Sequence, residues 1–158
     1  MTKQQFTDAV LQMQSVLYRV SYSVLLNADD SADAVQEAIV RAWHAREKLR
    51  KPEYMQTWMI RILLNVCYGM RRRNRRIVDM DEIPEQTAPQ DSFRELHDAI
   101  AALDQDLRIP VVLHYIEGYS VNEISGILMR PSGTIKSRLL RARKQLKQEL
   151  SETMKGGM

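Results

Sequence analysis

The stretch "SVNEISGILMRPSGTIKSRLLRARKQL", residues 120–146, contains two helical patterns on either side of a short turn, "MRPS". Ser120 and Glu123 have the spacing of a capping box, in which each side chain accepts a hydrogen bond from the other residue's backbone N–H. Ser132 is the predicted cap of the second helix. The apolar positions are Val121, Ile124, Ile127 and Leu128 in the first pattern and Ile135, Leu139, Ala142, Leu146 and Leu150 in the second. Two helices joined by so short a turn predict a helix-turn-helix.

The outer face of the second predicted helix is basic, and residues 130–147 carry a net charge of +7. At about 100° per residue, the side chains that point away from the apolar stripe are Ser137, Leu140, Arg141 and Lys144, with Lys136 nearby. Basic faces also occur on solvated helices, on membrane-surface helices and on helices that bind partner proteins. An exposed leucine among basic side chains suits contact with a thymine methyl group, so the pattern favours a helix that binds DNA.

The net charge of +3 is distributed unevenly along the 158 residues. Residues 1–76 carry a net charge of +6 and residues 93–158 carry +2, whereas residues 77–92 contain five acidic residues and no basic one. Basic patches attract polyanions, of which nucleic acid is the commonest. The acidic segment contains two prolines and has no hydrophobic periodicity, which predicts a flexible linker.

The N-terminal half has the periodicity of a helical bundle. A first helix is predicted by apolar residues at spacings of three and four: Phe6, Val10, Met13, Leu17, Val20 and Val24. A second helix is predicted from Ser31 or just before it, and a third from about Met55 to Met70. The third helix ends in "RRRNRR", residues 71–76, which is either a solvated helix end or a phosphate-binding surface.

In the C-terminal half, Pro110 interrupts a helical pattern. This helix either starts late, near Arg108, or kinks at the proline, and Gly118 is predicted to end it. The predicted fold class is therefore all-α, with two small helical domains over residues 1–76 and 93–153. A flexible acidic linker over residues 77–92 joins them, and the C-terminal domain contains the helix-turn-helix.

The residue inventory argues against an enzyme. The single cysteine, Cys67, rules out an internal disulfide and a Cys-based zinc cluster. His44, His97 and His114 are scattered, and no glycine-rich phosphate loop or nucleophile motif is present. We therefore expect no catalytic residue, no metal and no cofactor. No apolar run could cross a bilayer and the N-terminus lacks a signal-peptide pattern, so we expect a cytoplasmic protein without direct membrane insertion.

Three segments, taken in order, resemble a known family. "HYIEGYSVNEISGILMRPSGTIKSRLLRARKQL" resembles the C-terminal domain of extracytoplasmic-function sigma factors, a group within the sigma-70 family. "ADAVQEAIVRAW", residues 32–43, is similar to the helix by which that family binds RNA polymerase. "TWMIRILLNVCYGMRRRNRR", residues 57–76, is similar to the segment that melts promoters and recognises the minus-ten element. The resemblance covers almost the whole chain.

The resemblance implies an alternative sigma factor that binds core RNA polymerase and directs transcription initiation at specific promoters, in a regulated stress or envelope response. Its implied partners are core RNA polymerase, promoter DNA and an anti-sigma factor, and the chain itself is expected to be a monomer. The implied contacts with the minus-thirty-five element are Ser132, Thr134, Lys136, Ser137, Arg138, Leu140, Arg141 and Lys144. The implied minus-ten and melting residues are Arg50, Lys51, Tyr54, Gln56, Trp58, Asn65, Arg71, Arg72, Arg73, Arg75 and Arg76. The implied polymerase-binding residues are Asp33, Gln36, Glu37 and Arg41, which equally fit an ordinary polar helix face.

Three positions depart from the family pattern. Met129 replaces a glycine that is usual in the turn, Gly69 stands where an acidic residue is common, and "ISG" at residues 124–126 replaces "IAE". A glycine in a helix interior costs about 1 kcal/mol relative to alanine, so we expect local effects on stability.

The main alternative is a free-standing repressor whose N-terminal bundle dimerises. Such a dimer binds a palindrome without help, whereas a sigma factor needs polymerase and two unlike, directional elements. A bundle that binds only other proteins is a third possibility, and it leaves both arginine-rich surfaces unexplained.

Overall fold

The computed structural model describes residues 1–77 and 94–156, with side chains described for residues 1–74 and 94–151. All regular structure in these ranges is helical, which confirms the predicted fold class. The chain divides into two compact units, the first containing the helices before residue 78 and the second most of the helical residues after 93. The predicted linker falls almost entirely outside the described residues, since only Ile77 is included, as the last residue of a helix.

The first unit is a three-helix bundle. Its helices are α1 (Lys3–Leu25), α2 (Ala28–His44) and α3 (Met55–Ile77), and each packs against the other two. Two short 3-10 turns, Arg46–Lys48 and Pro52–Tyr54, lie between α2 and α3. The bundle therefore holds the segment around Pro52 as a structured connection at the start of α3.

Local hydrogen bonds fix the ends of α1 and α2. Thr2 and Gln5 form a capping box at the start of α1. The Asn27 side chain accepts the N–H of Asp30 at 2.9 Å and caps α2, which begins at Ala28, three residues before Ser31. Between the two helices, Leu26 adopts the left-handed conformation at φ 52°, so α1 ends abruptly and the chain reverses within two residues.

The core of this bundle follows the predicted periodicity. The apolar stripe of α1 has an exposed fraction of at most 7% at each position, Phe6, Val10, Met13, Leu17, Val20 and Val24. Met59, Ile60 and Leu63 of α3 are fully buried between the other two helices. A buried hydroxyl needs a partner, and Ser21 of α1 donates its own to the carbonyl of Ser31 in α2 at 3.1 Å.

Within residues 94–156 the structure describes four α-helices, and most of their residues belong to the second unit. They are α4 (Arg94–Ala102), α5 (Gln105–Val111), α6 (Val121–Leu128) and α7 (Ser132–Gly156), and a π-helical segment (Val112–Ile116) continues α5. Helix α7 packs against both α4 and α5. Arg108 of α5 is only 4% exposed, and its Nη1 donates to the carbonyls of Ala101 and Leu103 at 3.2 and 2.6 Å, which ties the end of α4 to α5.

Pro110 lies inside a helix. Helix α5 begins at Gln105, so the predicted late start near Arg108 is wrong. The proline lacks an N–H and cannot donate a hydrogen bond to the carbonyl four residues earlier. Directly after α5 the helix widens into the π-helical segment. There the N–H of Glu117 donates to the carbonyl of Val112 at 3.0 Å, and Gly118 ends the segment at φ 81° as the sequence predicts.

Helices α6 and α7 form the predicted helix-turn-helix. Glu123 N–H donates to Ser120 Oγ at 3.1 Å and Ser120 N–H donates to Glu123 Oε1 at 3.0 Å, so the predicted capping box is present. Met129 ends α6 in the left-handed conformation, with φ 55° and ψ 47°. The next N–H, that of Arg130, donates to the carbonyl of Ser125 at 3.2 Å, a bond typical of helices that end this way.

The start of α7 differs from the prediction that Ser132 caps it. Ser132 already belongs to the helix, and the carbonyl of Pro131 accepts the N–H of Ile135 at 3.2 Å. Pro131 is therefore the residue that precedes the helix and occupies the capping position. The fixed φ of proline is compatible with this position. In the part of the chain that the structure describes, no helix is long and apolar enough to span a membrane.

Candidate nucleic-acid interface

The outward face of α7 carries the predicted minus-thirty-five residues. Ile135, Leu139 and Ala142 are buried, which turns the opposite side of the helix to solvent. Exposed on that side are Lys136, Ser137, Leu140, Arg141 and Lys144. Leu140 has 47% of its side chain exposed in the middle of this basic face. The face therefore offers donors for phosphates and base edges and one apolar contact.

The remaining predicted residues of α7 are less exposed. Ser132, Thr134 and Arg138 are each partly buried, so only part of each side chain reaches the surface. Ser132 and Thr134 lie in the first turn of the helix, where backbone N–H groups also point outward. This turn can donate hydrogen bonds to a phosphate alongside the basic face.

The outward face of α3 is a second polar surface, on the first unit. Asn65, Arg72 and Arg73 are exposed, whereas Trp58 is partly buried near the start of the helix. Asn65 and Arg72 lie two turns apart on the same side. The helix therefore presents the Asn65 amide followed by the guanidinium groups of Arg72 and Arg73 on one side. These groups can donate hydrogen bonds to the bases and phosphates of a nucleic-acid strand.

Two members of the arginine-rich run are held by the protein. Arg71 Nη1 donates to the carbonyl of Val24 at the end of α1, at 3.1 Å. Asn74 Nδ2 donates to Asp30 Oδ2 at 3.3 Å. The run is therefore divided into a side that braces α3 against α1 and α2 and a side that faces solvent. The side chains of Arg75 and Arg76 lie outside the described residues, and their roles stay predictions.

The connection before α3 brings the predicted loop residues together. Arg50, Lys51 and Gln56 are exposed, and Tyr54 has 56% of its side chain exposed. Lys51 Nζ lies 5.9 Å from the centroid of the Tyr54 ring, at the outer range of a cation–π contact. An exposed aromatic ring at the start of α3 is available for stacking.

The outward face of α2 carries the predicted polymerase-binding residues. Asp33, Gln36 and Arg41 are exposed and Glu37 is partly exposed. Arg41 Nη2 donates to Glu37 Oε1 at 2.7 Å, an exposed ion pair one turn apart. Sequence reasoning missed Val40, which has 55% of its side chain exposed on this face. Val40 lies four residues after Gln36 and three after Glu37, so helical periodicity places it on the same outward face. This spacing could have identified it from the sequence.

Among the described residues, Tyr119 and Cys67 have raised pKa values, and neither lies on these faces. Burial raises the pKa of the Tyr119 hydroxyl to about 12, with smaller contributions from the carboxylates of Glu117 and Glu123. Burial also raises the pKa of the Cys67 thiol to about 11, although a hydrogen bond with Ser21 opposes the shift. Both groups stay protonated near neutral pH, so Cys67 is a packing residue and not a reactive thiol.

Two helical units, one with a helix-turn-helix and the other with a basic helix end, define a two-domain DNA-binding protein. Residues 9–77 match the family model described as Sigma-70 region 2, and residues 93–146 match Sigma-70, region 4. The chain is 29% identical to RNA polymerase sigma factor SigV of Bacillus subtilis, with 96% of this chain and 98% of that protein covered. It is 30% identical to the ECF RNA polymerase sigma-E factor of Escherichia coli, with 74% and 72% covered.

The solved structures agree with these matches. The sigma factor RpoE of Bartonella quintana, in complex with the anti-sigma factor NepR, aligns with a TM-score of 0.80 and 26% identity. The alignment covers 92% of this chain and 96% of that one. The chain therefore belongs to the extracytoplasmic-function group of the sigma-70 family. It is an alternative RNA polymerase sigma factor that acts in transcription initiation.

Proposed function

We propose that the chain is a non-enzymatic specificity subunit that recognises two unlike promoter elements through two separate units. The observation that carries this proposal is the pair of outward polar faces, one on α3 and one on α7, in different units. The faces differ in chemistry, since α7 presents Leu140 among cations and α3 presents Asn65 beside guanidinium groups. Two different faces fit a directional promoter better than the two identical half-sites of a palindrome.

In this proposal α7 lies in the major groove of the minus-thirty-five element. Arg141 and Lys136 donate to base edges or phosphates, and Leu140 packs on a thymine methyl. Ser137 and Lys144 lie on the same exposed face and supply further donors. Each good base contact is worth roughly 1–3 kcal/mol of discrimination.

The loop before α3 and the outward face of α3 act on the minus-ten element. Taking a base out of the duplex costs a few kcal/mol, and contacts made only after extrusion must offset this cost. Tyr54 supports this step because its exposed ring can stack on a free base. Arg50, Lys51 and Gln56 surround the loop with donors, and Arg72 and Arg73 hold the strand backbone.

The outward face of α2 binds core RNA polymerase. The Glu37–Arg41 pair is exposed, so it contributes little to folding and its charges are available to a partner. Val40 supplies an apolar contact at the centre of the same face, where burial against a partner would be favourable. Asp33 and Gln36 complete the polar rim.

An anti-sigma factor is a further proposed partner, because the structural relative RpoE was solved with one bound. We propose a monomer, located in the cytoplasm where polymerase and promoter DNA are found. Control by an anti-sigma factor would keep the outward faces from polymerase or DNA until a signal releases the chain.

The proposal is tested by reconstituting transcription with purified components. The chain alone should sediment as a monomer and bind a promoter duplex weakly. Adding core polymerase should produce transcripts that start at defined positions and run in one direction. A tight complex of a dimer with a palindromic site, formed without polymerase, would favour the repressor and overturn the proposal.

A further inference from the structure

Gly69 lies on the outward face of α3, partly exposed, one turn after Asn65 and one turn before Arg72 and Arg73. The residues at positions 58, 62, 65, 69 and 72 recur at spacings of four and three, so they form one stripe along the helix. Glycine destabilises a helix interior relative to alanine. Its presence in the centre of this stripe therefore needs a reason.

The protein itself does not require glycine at this position. The residue does not have a positive φ, so an L side chain is compatible with the backbone. A Cβ built at Gly69 would have one neighbour within 4 Å, Arg72 Nη2 at 4.0 Å, which is an ordinary van der Waals contact. Alanine would therefore fit without displacing any atom among the described residues.

We propose that Gly69 is a strand-binding position whose missing side chain leaves a notch for the sugar-phosphate backbone of the minus-ten strand. This inference rests on the proposed function. Glycine is the residue that lets another backbone or a ligand approach a helix most closely. A phosphate in the notch would lie against the Cα atom of Gly69 and beside the Arg72 guanidinium, and Asn65 one turn earlier would face the neighbouring base edge.

The charges around the notch favour a phosphate. The guanidinium of Arg72 extends back toward Gly69, because its Nη2 is the side-chain atom nearest to the absent Cβ. Arg73 is exposed on the same turn, and within the described ranges no hydrogen bond or ion pair occupies either guanidinium. A carboxylate at position 69 would stand three and four residues before these arginines, the spacing at which helical ion pairs form, and it would compete with the phosphate.

The inference is tested on the complete chain bound to core polymerase. The probe is a fork-junction DNA that has a single-stranded minus-ten region and no minus-thirty-five element, and affinity is measured against salt concentration. Gly69→Ala should bind about tenfold more weakly, because the added methyl group would hold the phosphate away from Arg72 and cost about one charge-assisted hydrogen bond. The salt dependence should become shallower by about 0.7, the value for one phosphate contact on a single strand. Gly69→Glu should bind more weakly still.

Thermal unfolding separates this role from a structural one. Gly69→Ala should raise the unfolding temperature while it weakens DNA binding, because it improves the helix and fills the notch. Gly126→Ala is the matched control, since Gly126 is an exposed glycine inside α6 whose absent Cβ also has open space around it. This control should raise the unfolding temperature and leave affinity for the fork DNA unchanged.

The outcomes separate the two proposals. Wild-type affinity and salt dependence in Gly69→Ala would overturn the notch. A lower unfolding temperature in Gly69→Ala would overturn it as well, because glycine would then serve the fold. Failure of the wild-type complex to bind fork DNA would instead overturn the proposed function, and the notch with it.

Discussion

Replacing Met129 by glycine should stabilise the C-terminal unit. Met129 ends α6 at φ 55° and ψ 47°, where a Cβ atom costs roughly 1–2 kcal/mol. Its side chain is 69% exposed, so truncation removes little buried surface. Glycine loses more conformational freedom on folding, which offsets about 0.5–1 kcal/mol of the gain. The difference between these two ranges is about 0–1.5 kcal/mol, and we take its middle, about 0.5–1 kcal/mol, as the expected net stabilisation.

Thermal unfolding of the full chain measures this effect. For a unit of this size, far-ultraviolet circular dichroism should show a midpoint raised by about 2–8 °C. The only two tryptophans, Trp43 and Trp58, lie in the first unit, so their fluorescence reports on the other bundle and should shift less. Met129→Ala is the control, because it removes the same long side chain and keeps the Cβ atom.

The comparison between the two variants decides the argument. If Met129→Gly and Met129→Ala unfold at the same temperature, the cost of a Cβ in the left-handed region does not control this helix end, and the reasoning is refuted. Affinity for the minus-thirty-five element should not change in either variant, because Met129 precedes the exposed face of α7.

Four further predictions concern three other sites. Arg141→Ala should weaken promoter binding by the holoenzyme by roughly 1–3 kcal/mol and relax sequence preference within the minus-thirty-five element. Lys147→Ala should instead weaken binding to all promoter sequences alike. Unchanged affinity and preference in Arg141→Ala would show that the recognition face is assigned wrongly. Tyr54→Ala should impair strand opening more than duplex binding, since stacking is worth about 1–3 kcal/mol per base, and normal permanganate reactivity of bubble thymines would remove Tyr54 from the mechanism. Burial raises the pKa of Cys67 from its ordinary value of 9.0 to about 11, so the native thiol should resist alkylation at pH 8, and rapid labelling of folded protein would contradict its burial. As the pH rises, the thiol ionises in the unfolded chain before it ionises in the folded chain. The difference in unfolding free energy between the wild type and Cys67→Ala should therefore be constant below pH 9 and should shift against the wild type as the pH rises toward 11.

The helix-turn-helix was predictable because its local and long-range signals agree. The Ser120–Glu123 box, the buried Ile135 and Leu139 and the outward Leu140 all follow from sequence spacing alone. The same holds for the first bundle, where one apolar stripe per helix is enough to orient it. In such segments the hydrophobic period determines both the helix and the side that is buried.

Other features depend on tertiary contacts that no local pattern contains. From the sequence alone, the arginines after Met70 cannot be distinguished. Only the packing of α3 against α1 shows that Arg71 donates to the carbonyl of Val24. The π-segment after Pro110 has no sequence signature of its own. Met129 stands where glycine is usual in the family's turn, but its left-handed conformation follows from the need to join α6 to α7 within three residues.

The division of the arginine-rich run has a consequence for how α3 can evolve. One side of the run braces the bundle through Arg71 and Asn74, while Arg72 faces outward only two helical turns after Asn65. Each residue added or lost between them rotates everything that follows by about 100°. A single deletion there would turn Arg72 toward the carbonyl that Arg71 now contacts, and it would move Asn74 away from Asp30 to the exposed position of Arg73. The angular phase of this helix therefore sets the bracing contacts and the outward face together, so a length change here should be more damaging than most single substitutions.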